Sequence, residues 1–214
     1  MIHYLGYMDV RASWARIVSW CHDHAPETAA AIRPPADAAL LTHAEQATSR
    51  SWPEELRTWY TLADGTQRTP AGYVLPFYCP LPLQSVMSHW SMWQEIWAGI
   101  IASSPSEEAE DLYDIAQLEA QPAGTVAGMF LPSFVPIAED QLGDDMFVDT
   151  RSGRLRGCVT EFVKGNADTW GPKWPSVTAM LADLAEGLHA GRPVGGWQPV
   201  VDHGRLDWEV AARG

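Results

Sequence analysis

The chain has 214 residues, of which 46% are apolar and 19% charged, and its 27 Asp and Glu against 14 Lys and Arg leave a net charge of −13. A chain of that size and apolar content can bury a core without staples, which excludes the disordered class. The acidic balance repels phosphate backbones, so no direct nucleic-acid binding is expected; it favours solubility first and a basic protein partner second.

Asp9 is a fitting N-cap, and Val10, Trp14, Ile17, Val18 and Cys21 then recur at the spacing of one helical face, with Pro26 ending the helix. IRPPA (32 to 36) reads as an extended connector, because each proline pushes the residue before it out of helical backbone. A second helix is predicted over about 37 to 48. Ser51 and Glu54 have capping-box spacing, Pro53 fits a first turn, and Trp52, Leu56, Trp59 and Tyr60 form an apolar stripe that Asp64 and Gly65 stop. GYVLPFY (72 to 78) reads as a strand, irregular or at an edge because Pro76 cannot donate to a ladder.

Leu83, Val86, Met87, Trp90, Trp93, Trp97, Ile100 and Ile101 make the longest stripe, predicting a helix of about 18 residues with a wide core-facing side. Residues 103 to 124 hold Glu107, Glu108, Glu110, Asp111, Asp114 and Glu119 with no basic residue, flanked by Ser, Pro and Gly. This is the pattern of an acidic surface insertion with one short helix. The last third turns to β: VAGMF, FVPIA, MFVD and LRGCVTEF are predicted strands, the last two joined through TRSGR (150 to 154). WPSVTAMLADLAEGLHAG gives a final helix, and WQPVVDHGRLDWEV a strand pair at about 197 to 210. Strands and helices do not alternate as βαβ units, so the expected fold is α+β with a mostly antiparallel sheet. Neither repeat nor linker interrupts residues 1 to 214, which points to one domain.

Cys21, Cys79 and Cys158 are odd in number and lack CxxC spacing, so neither a disulfide framework nor a zinc ribbon is suggested. The N-terminus lacks the basic-then-apolar order of a signal peptide, and no run nears the roughly 18 apolar residues that span a bilayer. A cytoplasmic protein with no membrane association is the expectation.

GxSxG, GxxxxGK[ST], a helix-opening GxGxxG and HExxH are all missing. In CHDH (21 to 24) a helix separates His22 from His24 by about 200°, whereas ligands on one face need three- or four-residue spacing. The stretch IAEDQLGDDMFVD (137 to 149) packs five carboxylates, but its order does not fit a calcium loop. Asp145 and Asp149 on one strand would lie about 13 Å apart, too far for shared acid/base work. A turn fits better, with Gly143 supplying a permissive φ and Asp140 and Asp144 bonding nearby N–H groups.

Taken together, three blocks resemble one family. Glu45 followed by WPEELRTWYTLADGT (52 to 66) resembles the "E, spacer, LP-x-ELR-x-LY, N/D-G" signature of the SUKH superfamily, which includes bacterial toxin-immunity proteins and fungal cell-wall-synthesis regulators. FVPIAEDQLGDDMFVDTRSGRLRGCV (134 to 159) is similar to its "wiPIa-x-D-x-x-G-D-x-lxiD, turn, G-x-V" block, and WPSVTAML (174 to 181) to its closing helix. Trp52 stands where the signature has Leu, and the acidic insertion after Ile101 is longer than the family pattern. The resemblance implies a twisted sheet backed by helices, with structural roles for Glu45, Pro53, Leu56, Arg57, Tyr60, Asp64, Gly65, Pro136, Ile137, Asp140, Gly143, Asp149, Gly157 and Ser176. It implies no catalytic residue and no cofactor.

Binding is therefore the expected activity: an immunity protein that occludes a basic toxin domain such as a nuclease. Glu107, Glu108, Glu110, Asp111 and Asp114, with Asp140, Asp144 and Asp145 as a second group, would supply the attracting field, and exposed tryptophans the anchor. Two alternatives stand beside it: a regulatory or scaffold domain with no toxin partner, and a metal-assisted hydrolase using the Asp140 to Asp149 carboxylates.

Overall fold

The computed structural model describes residues 9–48, 50–67, 71–103, 114–140, 142–165 and 167–211. Helix α1 (Val10–His24) starts where the Asp9 carboxylate accepts the Ala12 N–H at 2.8 Å, and it buries Val10, Ser13, Trp14, Ile17 and Cys21. Pro26 does not merely end it. The break falls at Ala25, and Pro26 opens α2 (Pro26–Ala31), where a missing N–H costs nothing. Asp37 caps α3 (Ala38–Ala47) by accepting from Ala39 and Leu40.

The predicted capping box at Ser51 and Glu54 does not form. Pro53 is the N-cap of α4 (Glu54–Tyr60), with no side-chain cap bond, although Trp52, Leu56, Trp59 and Tyr60 are buried as their spacing requires. The predicted strand at 72 to 78 is also a different structure. Leu75 and Tyr78 exchange backbone hydrogen bonds around a tight turn, with Phe77 at a positive φ of 64°. Only Cys79–Pro80, β1, joins the sheet.

Helix α5 (Leu83–Ser103) is longer than predicted, and α6 (Ile115–Ala120) is the short helix expected after it. VAGMF is not a strand: the Ala127 and Gly128 N–H groups donate to the Asp168 carboxylate at 2.9 and 2.8 Å instead of to a ladder. Strands β2 (Phe134–Glu139), β3 (Asp145–Asp149) and β4 (Val159–Phe162) follow, and the sheet is antiparallel in the order β1-β2-β3-β4. A bulge between Pro136 and Ala138 shifts the β2–β3 register. Helix α7 (Val177–Ala190) ends at Gly191, whose φ of 61° suits a residue without Cβ.

The sheet separates two apolar layers. On one face Val135, Ile137, Met146, Val148 and Val159 meet α1, α4 and α7 through Ile17, Leu56, Met180, Leu181 and Leu184. On the other Phe134, Phe147 and Phe162 meet Trp93 of α5 and Phe130. The rings interlock, with Phe134 stacked on Phe147 at 4.0 Å and Trp93 edge-on to Phe162 at 4.9 Å. A hairpin of β5 (Trp197–Asp202) and β6 (Arg205–Val210) lies against α2, where the Leu206 N–H donates to Thr28 Oγ1 and the Trp208 indole donates to the Tyr73 carbonyl.

Candidate functional site

Glu45 on α3 accepts the Trp52 N–H at 2.9 Å and pairs with Arg57 of α4, so one carboxylate fixes the entry and the exposed side of the next helix. Leu56 and Tyr60 face the core, and the Tyr60 hydroxyl donates to the Leu81 carbonyl at 3.1 Å. Burial pushes the Tyr60 phenol well above its ordinary range, helped by the nearby Asp64. Asp64 accepts the Leu83 N–H at 2.8 Å, capping the start of α5, and takes Arg33 on its other oxygen at 3.2 Å. A Cβ on Gly65 would sit 2.5 Å from the Leu81 backbone, which is why glycine stands there.

Glu55 bonds across a far longer span. It accepts from the Val177 and Thr178 N–H groups and the Thr178 hydroxyl, while Ser176 Oγ accepts the Ala179 N–H at 3.0 Å. Pro53 and Glu55 close around Gly157, leaving 3.0 Å between a Cβ there and Glu55 Oε1.

In the acidic stretch, Asp140 Oδ1 accepts from Leu142, Gly143 and Asp144 at 2.7 to 3.0 Å, with Gly143 at φ 108°. Asp144 accepts the Lys164 N–H at 2.7 Å. Asp145 departs from the expectation of a surface acid. It is 2% exposed, because it lies on the same face of β3 as Phe147, and it accepts the Trp93 indole N–H at 2.5 Å with His89 Nδ1 at 3.1 Å. Asp149 is also buried, holding Arg151 through its Nε and Nη2 and taking the Gly124 N–H at 2.8 Å. Pro136 and Ile137 are buried in β2 at the bulge.

Glu107, Glu108, Glu110 and Asp111 lie outside the described residues. Asp114 is exposed and caps α6 through the Gln117 N–H. The expected acidic groups are thus not shown as one surface: of the second group, Asp145 points inward, while Asp140 and Asp144 order a turn. Residue spacing did not reveal His89, which also lies 3.6 Å from Glu139, or Glu119, which joins Arg50 to the Ser133 N–H. Their partners are 14 to 69 residues away, and no local pattern marks such pairs.

Ten of the eleven tryptophans are wholly or partly buried, and Trp170 alone is exposed, at 77%. An open cleft of about 650 Å³ lies beside the starts of α1 and α4, with Arg11 and Arg156 facing it alongside Asp9, Glu54 and Glu55. Among the described residues no group of three or more His, Cys, Asp or Glu could hold a metal ion, and no helix is long and apolar enough to cross a membrane. Burial lifts the Cys21 and Cys158 thiols from 9.0 to about 12, and Asp149 adds to the rise at Cys158.

These braces define an α+β domain in which most of the signature acids hold loops and helix ends. The family model described as the SMI1 / KNR4 family (SUKH-1) matches residues 35–183, and the chain belongs to that family. The match spans from the connector before α3 into α7, taking in all four sheet strands. No curated protein matches the chain.

Proposed function

We propose that this chain is a non-catalytic immunity protein that neutralises a basic toxin domain, such as a nuclease, by binding and occluding it. Membership of the SUKH-1 family supports protein binding as the activity. The observation that carries the reading is Trp170, a large aromatic side chain 77% exposed on a protein of net charge −13. Tryptophan anchors supply an outsized share of interface energy, and an acidic protein is steered rapidly onto a basic one. The carboxylates of the alternative hydrolase reading have protein partners: Asp140 orders a turn, Asp145 takes Trp93 and His89, and Asp149 takes Arg151 and Gly124.

Co-expression with the toxin domain encoded beside its gene tests the reading. Growth is rescued by the wild type, and Trp170→Ala weakens binding to the purified toxin domain by about tenfold or more. If no neighbouring toxin domain is neutralised, the immunity role is lost and a regulatory role in the same family takes its place.

A further inference from the structure

Residues 124–128 and 168–172 are turns and irregular chain, yet buried charged side chains pin them from beneath. Asp149 takes the Gly124 N–H at 2.8 Å, Arg151 donates to the Thr125 carbonyl at 2.5 Å, and Asp168 takes the N–H groups of Ala127 and Gly128. All three are 3% exposed or less. Burying charge is a poor route to stability, since apolar groups of similar size serve as well or better; what such groups can secure is one conformation. Here that conformation aligns two segments. Asp168 meets residues 127 and 128, while Pro172 lies against Gly124, 3.0 Å from where a Cβ would stand. The segments therefore run in opposite directions, and Val126 and Trp170 fall opposite one another, midway between the two anchors. Both are exposed, at 43% and 77%.

We propose that Val126 and Trp170 form the centre of the surface that takes the basic toxin domain, and that Asp168 is the positioning residue that sets it, an inference that rests on the immunity reading. The exposed residues beside the pair, Thr125, Gly128 and Thr169, carry no charge. Lys173, the nearest basic residue in sequence, is paired with Glu161. An aromatic centre free of charge has the composition of an interface core. Charge selects the occupant: a chain of net charge −13 attracts a basic domain from a distance and repels a second copy of itself. A ring carried on backbone that is already fixed loses less freedom on binding, so affinity depends on the brace beneath as well as on the ring.

Calorimetric titration of the purified full chain with the toxin domain encoded beside its gene tests this. Val126→Arg raises the dissociation constant by about tenfold or more, because it sets bulk and positive charge against a basic surface. Val201→Arg places the same charge at an exposed site on β5 and changes it by less than about twofold. Asp168→Ala raises it by about fivefold with circular dichroism unchanged. In a Trp170→Ala background the same substitution adds less than about twofold, since the ring it positions is gone. If Asp168→Ala fails to fold, Asp168→Asn, which keeps one acceptor, carries the same comparison. An affinity indifferent to Val126→Arg, or lost equally with Val201→Arg, overturns the surface and leaves the immunity reading standing. Equal losses from the Asp168 variant in both backgrounds overturn the positioning role. A wild-type chain that binds no neighbouring toxin domain takes down both readings.

Discussion

The two faces of β3 solve different problems with adjacent residues. Met146 and Val148 point into a layer made by α1, α4 and α7, and that face of the strand is wholly apolar. Asp145, Phe147 and Asp149 point the other way, where carboxylates alternate with an aromatic ring. The difference follows from what covers each face. Helices satisfy their own backbone, so the first layer needs no polar group from the sheet. The second is closed partly by α5 and partly by irregular chain around 123 to 131, whose N–H groups need partners. Asp149 serves Gly124, and Asp168 serves Ala127 and Gly128. Asp149 and Asp168 therefore sit where regular structure is lacking, while Asp145 meets the polar side chains that α5 turns to this face, Trp93 and His89.

The largest blow to this contrast is Asp149→Ala. It strands the Arg151 guanidinium, which is as buried as its partner, and stability measured by urea unfolding falls by about 3–5 kcal/mol. A fall below about 1 kcal/mol would mean that the pair is not the fastening described. On the apolar face Met146→Ala removes contacts without leaving a charge and costs about 2–5 kcal/mol, read in the same assay. Asp168→Ala leaves two backbone donors unpaired for about 1–3 kcal/mol, and hydrogen exchange at Ala127 and Gly128 quickens with it.

A pH effect follows from burial in the helical layer as well. In the unfolded chain the Cys21 thiol releases its proton near 9.0, while the folded chain holds it to about 12. Stability is therefore independent of this thiol below pH 9 and declines as pH climbs from there toward 12, and Cys21→Ala removes that part of the decline in alkaline melting curves. Smallest of all, Trp170→Ala changes stability by less than about 0.5 kcal/mol, since its side chain faces water.

Helices α1 and α7 and strands β2 and β3 were legible because their apolar periodicity is long or their turns are marked by Gly and Asp. The strand misreadings share a cause. VAGMF and GYVLPFY have strand composition, but the first gives its N–H groups to Asp168, some 40 residues on, and the second folds back on itself around Phe77. The capping box fails because α4 starts at Glu54 with Pro53 as its N-cap, which leaves Ser51 two residues before the cap. At Asp145 the alternation with Phe147 was present in the sequence, yet an acid in a charged stretch reads as surface until its Trp93 partner is seen. The long α5 stripe is core as its spacing predicts: Leu83, Val86 and Trp93 are buried, and Met87, Trp90, Trp97 and Ile101 pack against the two apolar layers.

The Glu55 bonds to Thr178 carry a consequence for biosynthesis. Their two ends are 123 residues apart, so a ribosome must release more than half the chain before α4 and α7 can be joined. Until then the Leu56 side of α4 lacks the helix that shields it, and the nascent protein depends on chaperones or on speed to avoid sticking.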